Sequence, residues 1–368
     1  MRITCTQENF SRGLAIVSGV AGRNINLPIL NNVLLQSDKE GLTLVTTNLE
    51  IGIRTRVRGK TEEEGSFTIQ AKLLTEFVGS LKKENINLYL KENTLTLEGE
   101  NHTTKIKGEL AADFPLIPEI SEDNVVLLAT EEFKKALSQV VFSASSDESR
   151  PELNSVLFEL EGKNLTLVAT DSYRLSERKV ALGQNIKESL VLIVPVRTIQ
   201  QLLRVLELDQ TEETKMIISE NQIKFSFGST EIISRIVEGQ YPDYKQIIPK
   251  KFSSEISFDS GLLAQNIKTT SLFCQPGIND IKMSYLPETK EIQLRAQNST
   301  AGDNLSKIEA ETTGQLGEIV FNYRYLLEGI NHLDGNKGIL RLNEASSPAL
   351  LQSQDNKEFV YLIMPIRQ

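Results

Sequence analysis

Four side chains with chemical potential follow one strand-like run near the middle of the chain. The segment 165–175 reads LTLVATDSYRL and ends in a carboxylate, a hydroxyl, a phenol and a guanidinium at Asp171, Ser172, Tyr173 and Arg174. Such a group could present a nucleophile with its helpers, or it could form part of a binding surface. The two interpretations make different demands on the rest of the sequence.

The nucleophile interpretation finds little support in the other motifs. Ser172 lacks the glycine-flanked turn of hydrolase nucleophiles, and His102 and His332 are the only imidazoles. The sequence contains no phosphate-binding loop and no H-E-x-x-H or paired-cysteine motif. We therefore interpret Asp171 as a turn residue that accepts backbone hydrogen bonds where the strand ends. An enzyme that uses Asp171 and Arg174 with a bound metal is the principal alternative.

Composition indicates a globular protein of two or three domains. The chain has 368 residues, of which 39% are hydrophobic and 24% charged, and its net charge is −9. It has no signal-peptide core and no apolar run of the roughly 20 residues that cross a bilayer, so we expect a cytoplasmic protein without a membrane partner. Cys5 and Cys274 match no metal or redox spacing and are expected to be structural thiols. No cofactor and no metal are predicted.

An internal repeat organises the sequence. LPILNNVLLQSDKEGLTLVTTNLE, residues 27–50, aligns without gaps with RPELNSVLFELEGKNLTLVATDSY, residues 150–173, at an offset of 123 residues. Asn48 then falls on Asp171, which supports the turn interpretation because both are good turn residues. A third, more diverged copy follows.

Three domains account for the whole chain, with predicted boundaries 1–120, 121–250 and 251–368. Each domain is predicted to read β-α-β-β-β-β-α-β-β-β, because period-2 runs such as INLYLKENTLTLEGE lie between two amphipathic helices. Thr6, before QENFSRGLAIV, has the position of a helix cap. The fold class is therefore α+β with largely antiparallel sheets.

Basic side chains concentrate on the predicted helices although the chain as a whole is acidic. They are Arg12, Lys72, Lys82, Lys83, Lys134, Lys135, Arg197, Arg204, Lys268 and Arg324. If the domains pack side by side, equivalent helices form one basic face. Such a face suits sequence-independent binding to phosphates.

Apolar residues recur near the turn and in two other segments. QYPDYKQII contains Pro242 and Ile247, and the C-terminal VYLIMPIRQ contains Met364 and Pro365. Met and Pro at a chain end suit an adaptable groove for a partner peptide, although a core strand is an equally good explanation.

These segments resemble the bacterial DNA polymerase III β subunit family, the β sliding clamps. VATDSYRL is similar to the family's ATDGHRL, EGQYPDYKQIIP to DGRFPDYRRVLP, and YLIMPIRQ to a terminal VMPMRL; LPILNNVLLQ and AADFP also match. The resemblance covers essentially the whole chain. It implies a non-catalytic processivity factor, a head-to-tail homodimer that closes as a six-domain ring, with helices lining the hole and sheets outside.

The resemblance also implies site residues. The peptide-binding groove comprises Leu153, Thr170, Tyr173, Arg174, Leu175, Pro242, Ile247, Leu362, Ile363, Met364, Pro365, Ile366 and Arg367. Arg23 and Arg150 join the basic helices as DNA-contacting positions. The dimer interface has Lys105, Ile106 and Lys107 on one side and Leu272 and Phe273 on the other, with Asp303 as the nearest acid. Ser172, Tyr173 and Gln246 replace the family's usual Gly, His and Arg, and Pro151 and Glu152 replace a tyrosine pair.

The implied partners are double-stranded DNA bound without sequence preference, a second copy of the chain, the polymerase catalytic subunit, the clamp-loader complex, and other replication and repair proteins that carry short clamp-binding peptides. A monomeric peptide-docking adaptor without a DNA role is a further alternative.

Overall fold

The computed structural model describes residues 1–22, 26–118, 120–121, 124–209 and 211–367. These residues group into two compact units. The first unit contains Met1–Lys134 and Arg197–Glu238, and the second contains Lys135–Val196 and Gly239–Gln368. Each unit combines helices with antiparallel sheets, so the predicted α+β class is confirmed.

The described chain contains six α-helices, which are α1 (Gln7–Val17), α2 (Ala71–Ser80), α3 (Thr130–Val141), α4 (Val196–Leu208), α5 (Ser260–Ser271) and α6 (Tyr323–Asn331). The first twelve strands are β1 (Arg2–Thr6), β2 (Asn32–Asp38), β3 (Gly41–Thr47), β4 (Ile51–Val57), β5 (Gly59–Glu63), β6 (Gly65–Gln70), β7 (Asn85–Lys91), β8 (Thr94–Glu98), β9 (Thr103–Lys107), β10 (Asn124–Ala129), β11 (Ser155–Thr170) and β12 (Arg174–Pro195). The other twelve are β13 (Glu213–Ile218), β14 (Gln222–Phe227), β15 (Thr230–Arg235), β16 (Ser254–Asp259), β17 (Asp280–Leu286), β18 (Glu291–Asn298), β19 (Gly302–Glu309), β20 (Glu311–Thr313), β21 (Gly317–Asn322), β22 (Lys337–Leu342), β23 (Ala349–Ser353) and β24 (Phe359–Ile363).

The first unit contains two sheets. One has five strands in the order β5-β1-β7-β8-β9, and the other has eight in the order β10-β13-β14-β15-β4-β3-β2-β6. The larger sheet joins strands from the first two predicted domains, because β15 pairs with β4 and places Ile232 opposite Ile53. Strand β9 is left at an edge of the smaller sheet.

The second unit repeats this arrangement. A seven-stranded sheet has the order β11-β12-β24-β23-β22-β16-β20, and a four-stranded sheet has the order β19-β18-β17-β21. The larger sheet joins strands from the last two predicted domains, because β12 pairs with β24 and places Leu175 opposite Leu362. Strand β19 is left at an edge of the smaller sheet.

The three repeats share one hydrogen-bond register. The first residue of each leading helix donates its backbone N–H to the carbonyl just before the strand that follows the second helix: Gln7 to Glu84, Thr130 to Glu212, and Ser260 to Asn336. Three residues into the same helices lie Phe10, Phe133 and Leu263, and each has no exposed surface. These contacts define equivalent positions even where the sequences have diverged.

Local sequence signals explain how the helices begin and what they bury. Thr6 caps α1 and accepts from the Asn9 N–H at 3.3 Å, as predicted, while Asp259 caps α5 and accepts from the Leu262 N–H at 2.7 Å. Strands β16 and β17 alternate buried and partly exposed residues, and the sides of the helices that carry apolar residues pack on the sheets. Cys5 and Cys274 are free and buried, so the structural-thiol prediction is confirmed.

Two predicted details differ from the structure. Four strands were predicted between the helices of each repeat, but the first and third repeats have five and the second has two long ones. The long pair shifts register on both sides of Gly162, whose φ is +57°, so β11 and β12 continue through a bulge where a break was predicted. Helix α2 ends at Ser80, so the placement of Lys82 and Lys83 within it was wrong.

No helix among the described residues is long and apolar enough to cross a membrane.

Candidate functional site

The turn between β11 and β12 is built by side chains that bond to its own backbone. Asp171 Oδ1 accepts from the N–H groups of Tyr173 at 2.9 Å and Arg174 at 3.0 Å. Thr170 Oγ1 donates to the Arg174 carbonyl at 2.6 Å and accepts from the Ser172 N–H at 3.1 Å. Ser172 has φ +79°, the left-handed conformation that glycine adopts most easily. The interpretation of Asp171 as a turn residue is confirmed.

Arg174 connects this turn to two helices. Its Nε donates to Asp171 Oδ2 at 3.0 Å, Nη2 to the Phe142 carbonyl at 2.8 Å, and Nη1 to the Glu328 carboxylate. The guanidinium also lies 4.5 Å from the centroid of the Tyr325 ring. Burial disfavours the charged form, but the surrounding acidic groups outweigh it and raise the pKa of Arg174. With only 10% of its side chain exposed, Arg174 holds the turn against α6 and the end of α3.

Strands from two repeats form an apolar floor beside the turn. Leu175 on β12 lies opposite Leu362 on β24, and the exposure of Leu175, Leu362 and Ile363 is 2% or less. Just beyond β24, the Met364 N–H donates to the Tyr173 carbonyl at 2.8 Å. The C-terminal segment is therefore joined to the turn by backbone hydrogen bonds.

The remaining predicted groove residues divide by exposure. Leu153 and Thr170 are buried. The more accessible ones are Tyr173, Pro242, Ile247, Met364, Pro365, Ile366 and Arg367. Of these, Tyr173 is 62% exposed and Ile247 is 46% exposed, so two large apolar side chains face solvent. The second unit thus combines a buried apolar floor with a more accessible rim, which we define as these seven residues.

Sequence reasoning missed two tyrosines that hold the 241–247 segment. Tyr241 lies against the backbone of Thr170, and Tyr244 donates its hydroxyl to Glu159 Oε2 at 2.9 Å. Burial raises the pKa of both phenols above the usual range. The signal was available, because aromatic residues flank Pro242 at a spacing of three.

A cleft of about 390 Å³ beside the C-terminal segment was also missed. Ile366 and Arg367 line it together with Glu318, Ile319 and Val320 of β21, and with Ala345 and Ser346. The Ile366 N–H donates to the Val320 carbonyl at 2.8 Å and positions the segment. Nothing in the order of residues along the chain indicates this contact.

Several predicted DNA-binding cations form ion pairs at the protein surface. The N–O distances are 3.7 Å for Lys72–Glu76, 2.6 Å for Lys83–Glu8, 2.7 Å for Lys134–Glu131 and 2.7 Å for Lys135–Asp334. The hydrogen bond that Lys83 donates to the Glu8 carboxylate raises the pKa of Lys83. Lys82, Arg197 and Lys268 are exposed. Apart from Lys135–Asp334, whose acid is only 18% exposed, these pairs are exposed and weak, so most of these cations stay available to other anions.

Arg204 has a structural contact that its sequence position did not indicate. Nη1 and Nη2 donate to the carbonyls of Ala15 and Ile16 at 2.6 Å each, near the C-terminal end of α1. Burial lowers the pKa of Arg204. A Cβ at Gly19 would lie 2.4 Å from this guanidinium, so a larger residue there would displace it.

The family resemblance adds two cations, Arg23 and Arg150. Arg23 lies outside the described residues. Arg150 is exposed and donates its Nε to Asp147 Oδ2 at 3.0 Å and its Nη1 to Ser172 Oγ at 3.4 Å. Arg150 therefore lies beside the turn.

The predicted interface residues lie at the two open sheet edges. Lys105 and Lys107 point outward from edge strand β9, whereas Ile106 is 6% exposed and packs inside its own unit. Leu272, just after α5, is 75% exposed, and Phe273 is half-buried. Leu305 on edge strand β19 is 51% exposed and was missed by sequence reasoning. Asp303 lies on the same strand.

Within the described ranges, no group of three or more His, Cys, Asp or Glu residues could hold a metal ion. His332 stacks on Phe142 with ring centroids 3.9 Å apart, so it is occupied by packing.

Comparison with known proteins agrees with this geometry. Models of the N-terminal, central and C-terminal domains of the DNA polymerase III beta subunit match residues 1–118, 127–243 and 245–367. The chain is 28% identical to a beta sliding clamp of Synechocystis over 389 aligned residues, covering 100% of this chain and 99% of the relative. It is 25% identical to the beta sliding clamp of Bacillus subtilis, with 100% of both covered.

A solved structure shows the same fold. The crystal structure of a DnaN sliding clamp from Pseudomonas aeruginosa bound to griselimycin superposes with a TM-score of 0.96 at 25% identity, and 100% of each chain is covered.

The fold and the site define a protein of the clamp class, in which repeated α+β domains join through the edges of their sheets. The chain belongs to the DNA polymerase III beta subunit family, the sliding clamps of DNA replication. The predicted fold of three repeated clamp domains is confirmed. The boundaries at residues 120 and 250 stay predictions.

Proposed function

We propose that this chain is the processivity factor of a replicative DNA polymerase and has no catalytic role of its own. Two copies close head to tail into a ring around duplex DNA, and a groove at the β12–β24 junction binds short peptides of the polymerase and other factors. The observation that carries this proposal is the pair of complementary open edges, β9 and β19.

Edges β9 and β19 are complementary because each junction inside the chain pairs the last strand of one repeat with a strand that lies between the two helices of the preceding repeat. The last strand of the second repeat, β15, pairs with β4, and the last strand of the third, β24, pairs with β12. The last strand of the first repeat, β9, has no such partner among the described strands, and neither has β19, whose position in its sheet matches that of β4. A second copy supplies β19 for β9 and β9 for β19. Such a heterologous contact closes when the rotation is completed by two copies.

Apolar and charged groups at these edges support the same contact. Leu272 and Leu305 expose large apolar surfaces next to β19, and burying them favours association. Lys105 and Lys107 on β9 can approach Asp303 on β19 of the partner. The association of two copies therefore combines strand pairing, apolar burial and opposite charge.

The basic residues of the helices and their flanks support a role in sequence-independent DNA binding. Lys72, Lys82, Arg197 and Lys268 are exposed, so phosphates can approach their charged groups from solvent. Contacts to phosphates alone carry no base information and permit sliding. The ring keeps the polymerase at a high effective concentration, because it cannot leave the duplex sideways.

The rim and floor around β12 and β24 support the peptide groove. An extended peptide with apolar side chains could fill the space beside Ile247 and Met364, while the buried floor provides a rigid base. The polymerase catalytic subunit, the clamp loader and repair factors would compete for this one groove in each chain. A cytoplasmic location remains a prediction.

Retention on DNA tests the proposal. We expect a solution mass of two chains at micromolar concentration and long retention on nicked circular DNA. Cutting the circle should release the protein at the same salt concentration, because linear DNA lets a ring slide off its ends. Equal lifetimes on circular and linear DNA would refute topological linkage, and a monomer would favour the adaptor alternative.

A further inference from the structure

Equivalent ion pairs join successive repeats within the chain. In the first unit, Arg12 Nη2 on α1 lies 3.4 Å from Asp209 Oδ1, which directly follows α4. In the second unit, Lys135 Nζ on α3 lies 2.7 Å from Asp334 Oδ1, which follows α6. The two acids are largely buried, with 11% and 18% of their side chains exposed. We call these contacts the junction ion pairs.

The shared register shows that both cations occupy one repeat position. Arg12 lies five residues after Gln7, and Lys135 lies five residues after Thr130, the two helix-initial residues that make equivalent backbone hydrogen bonds. Asp209 and Asp334 lie three and two residues before the carbonyls that accept those bonds in their own repeats. The junction ion pairs are therefore the same contact made twice.

At the third junction, between the third repeat of one copy and the first repeat of another, the equivalent positions lack both the cation and the acid. Five residues after Ser260, the equivalent position on α5 is Gln265, which is exposed and uncharged. In the first repeat, the positions equivalent to the two acids are Leu81 and Lys82, and Lys82 is exposed. Neither Gln265 nor Lys82 makes an ion pair within the part of the chain that the structure describes.

We propose that Gln265 faces Lys82 of the partner subunit across the junction between copies, and that the missing ion pair makes this junction the weakest of the three kinds in the ring. This inference rests on the proposed head-to-tail dimer. The two internal junctions join repeats of one chain and add the ion pair to strand pairing. The junction between copies has strand pairing, the apolar residues Leu272 and Leu305 and the charges of β9 and β19, but it lacks the junction ion pair.

Charge substitutions at the two positions test the inference through the sign of their coupling. Gln265→Glu places an acid opposite the native Lys82, and Gln265→Lys places a second cation there. The Lys82→Asp background reverses both situations and, with Gln265→Lys, copies the Lys135–Asp334 pair. Subunit exchange between fluorescently labelled dimers and the dimer dissociation constant are the measurements.

We expect Gln265→Glu to strengthen dimerisation and Gln265→Lys to weaken it, by about two- to five-fold per interface, because exposed pairs contribute at most about 1 kcal/mol. In the Lys82→Asp background the two substitutions should exchange their effects. Because the ring has two such interfaces, the change in the dissociation constant is squared. The coupling should diminish at about 1 M salt, where exposed charges are screened.

Controls separate the inference from the proposed function. Lys60→Asp makes the same charge change on β5, at the opposite edge of the sheet that contains β9, and should leave the effect of residue 265 unchanged. If wild-type protein stays monomeric, both the ring and this inference are wrong. If it dimerises but residue 265 acts identically in both backgrounds, only the inference is wrong. Thermal unfolding of each variant verifies that the fold is retained.

Discussion

Asn48 and Asp171 are 123 residues apart and cap equivalent turns in the first and second repeats. Asn48 Oδ1 accepts from the N–H groups of Glu50 at 3.0 Å and Ile51 at 2.7 Å, and Asp171 Oδ1 accepts from the two corresponding groups. The residue after each cap has a positive φ, +75° at Leu49 and +79° at Ser172. An amide oxygen and a carboxylate oxygen thus accept the same pair of backbone hydrogen bonds. Asp171, which follows β11, therefore stabilises the turn.

This equivalence predicts the outcome of changing Asp171. Asp171→Asn should retain the turn, because Asn48 caps the corresponding turn, but it loses the largely buried contact of Oδ2 with Arg174 and should cost about 1–2 kcal/mol of unfolding free energy. Asp171→Ala loses both that contact and the turn cap, and should cost about 1–2 kcal/mol more. Urea unfolding followed by circular dichroism measures both. Equal losses in the two variants would contradict the turn role.

A clash at Gly19 provides a second prediction, in the first unit. Gly19→Ala should lower the unfolding free energy by at most about 1–2 kcal/mol, since the new methyl group, 2.4 Å from Arg204 Nη2 and Gln201 Oε1, displaces the guanidinium from its carbonyl partners. Arg204→Ala should cost about 1–2 kcal/mol through loss of the Ala15 and Ile16 contacts. The double variant should lose less than the sum, because the clash disappears with the arginine. Strict additivity in urea unfolding would show that the two residues do not interact.

The groove prediction uses rim residues that contribute little to folding. Ile247→Ser with Met364→Ala should weaken binding of the polymerase catalytic subunit about tenfold or more, because both side chains offer apolar surface to a peptide. The melting temperature should change little, since Ile247 is 46% exposed and Met364 is only half-buried. Leu116→Ser is the matched control, because Leu116 is 95% exposed in the other unit. Surface plasmon resonance with unchanged affinity for the rim variant would refute the groove.

Acid sensitivity should arise in part from Asp334. Burial alone would raise its pKa, but hydrogen bonds from Lys135, Asn356 and Gln139 outweigh burial and hold it below the usual 3.8. A lowered pKa in the folded state contributes stability that is present above the unfolded value and is lost as pH falls through the folded value. We therefore expect the stability difference between wild type and Asp334→Asn to be constant from pH 7 to pH 5. It should shrink as the pH approaches 3.

Urea unfolding at a series of pH values checks this prediction, with Asp147→Asn as a comparison. The pKa of Asp147 is also lowered, chiefly by the Ser149 hydroxyl, but its partners are exposed, so its pH-dependent contribution should be smaller. A difference between wild type and Asp334→Asn that grows below pH 4 would contradict the assignment.

The sequence by itself determined the repeat, the α+β class, the caps of the turn and the cap at Thr6. These features follow from periodicity and from short-range hydrogen bonds, which involve residues two to four positions apart. Cys5 and Cys274 could likewise be read as structural thiols from their spacing. The prediction of four strands where β11 and β12 run was wrong, because a glycine such as Gly162 is typical of both a turn and a bulge.

Only the tertiary structure decided which side chains meet across repeats. The contacts of Arg174 with Phe142 and Glu328, of Arg204 with Ala15, and of Lys135 with Asp334 join residues 32 to 199 positions apart. Strand pairing across domain boundaries brings these groups together, and no local pattern encodes it. The structure also decides the direction of the side chains on the open edge strand: the pleat alternation of β9 turns Ile106 inward and leaves Lys105 and Lys107 exposed, while the place of all three in an interface stays a prediction.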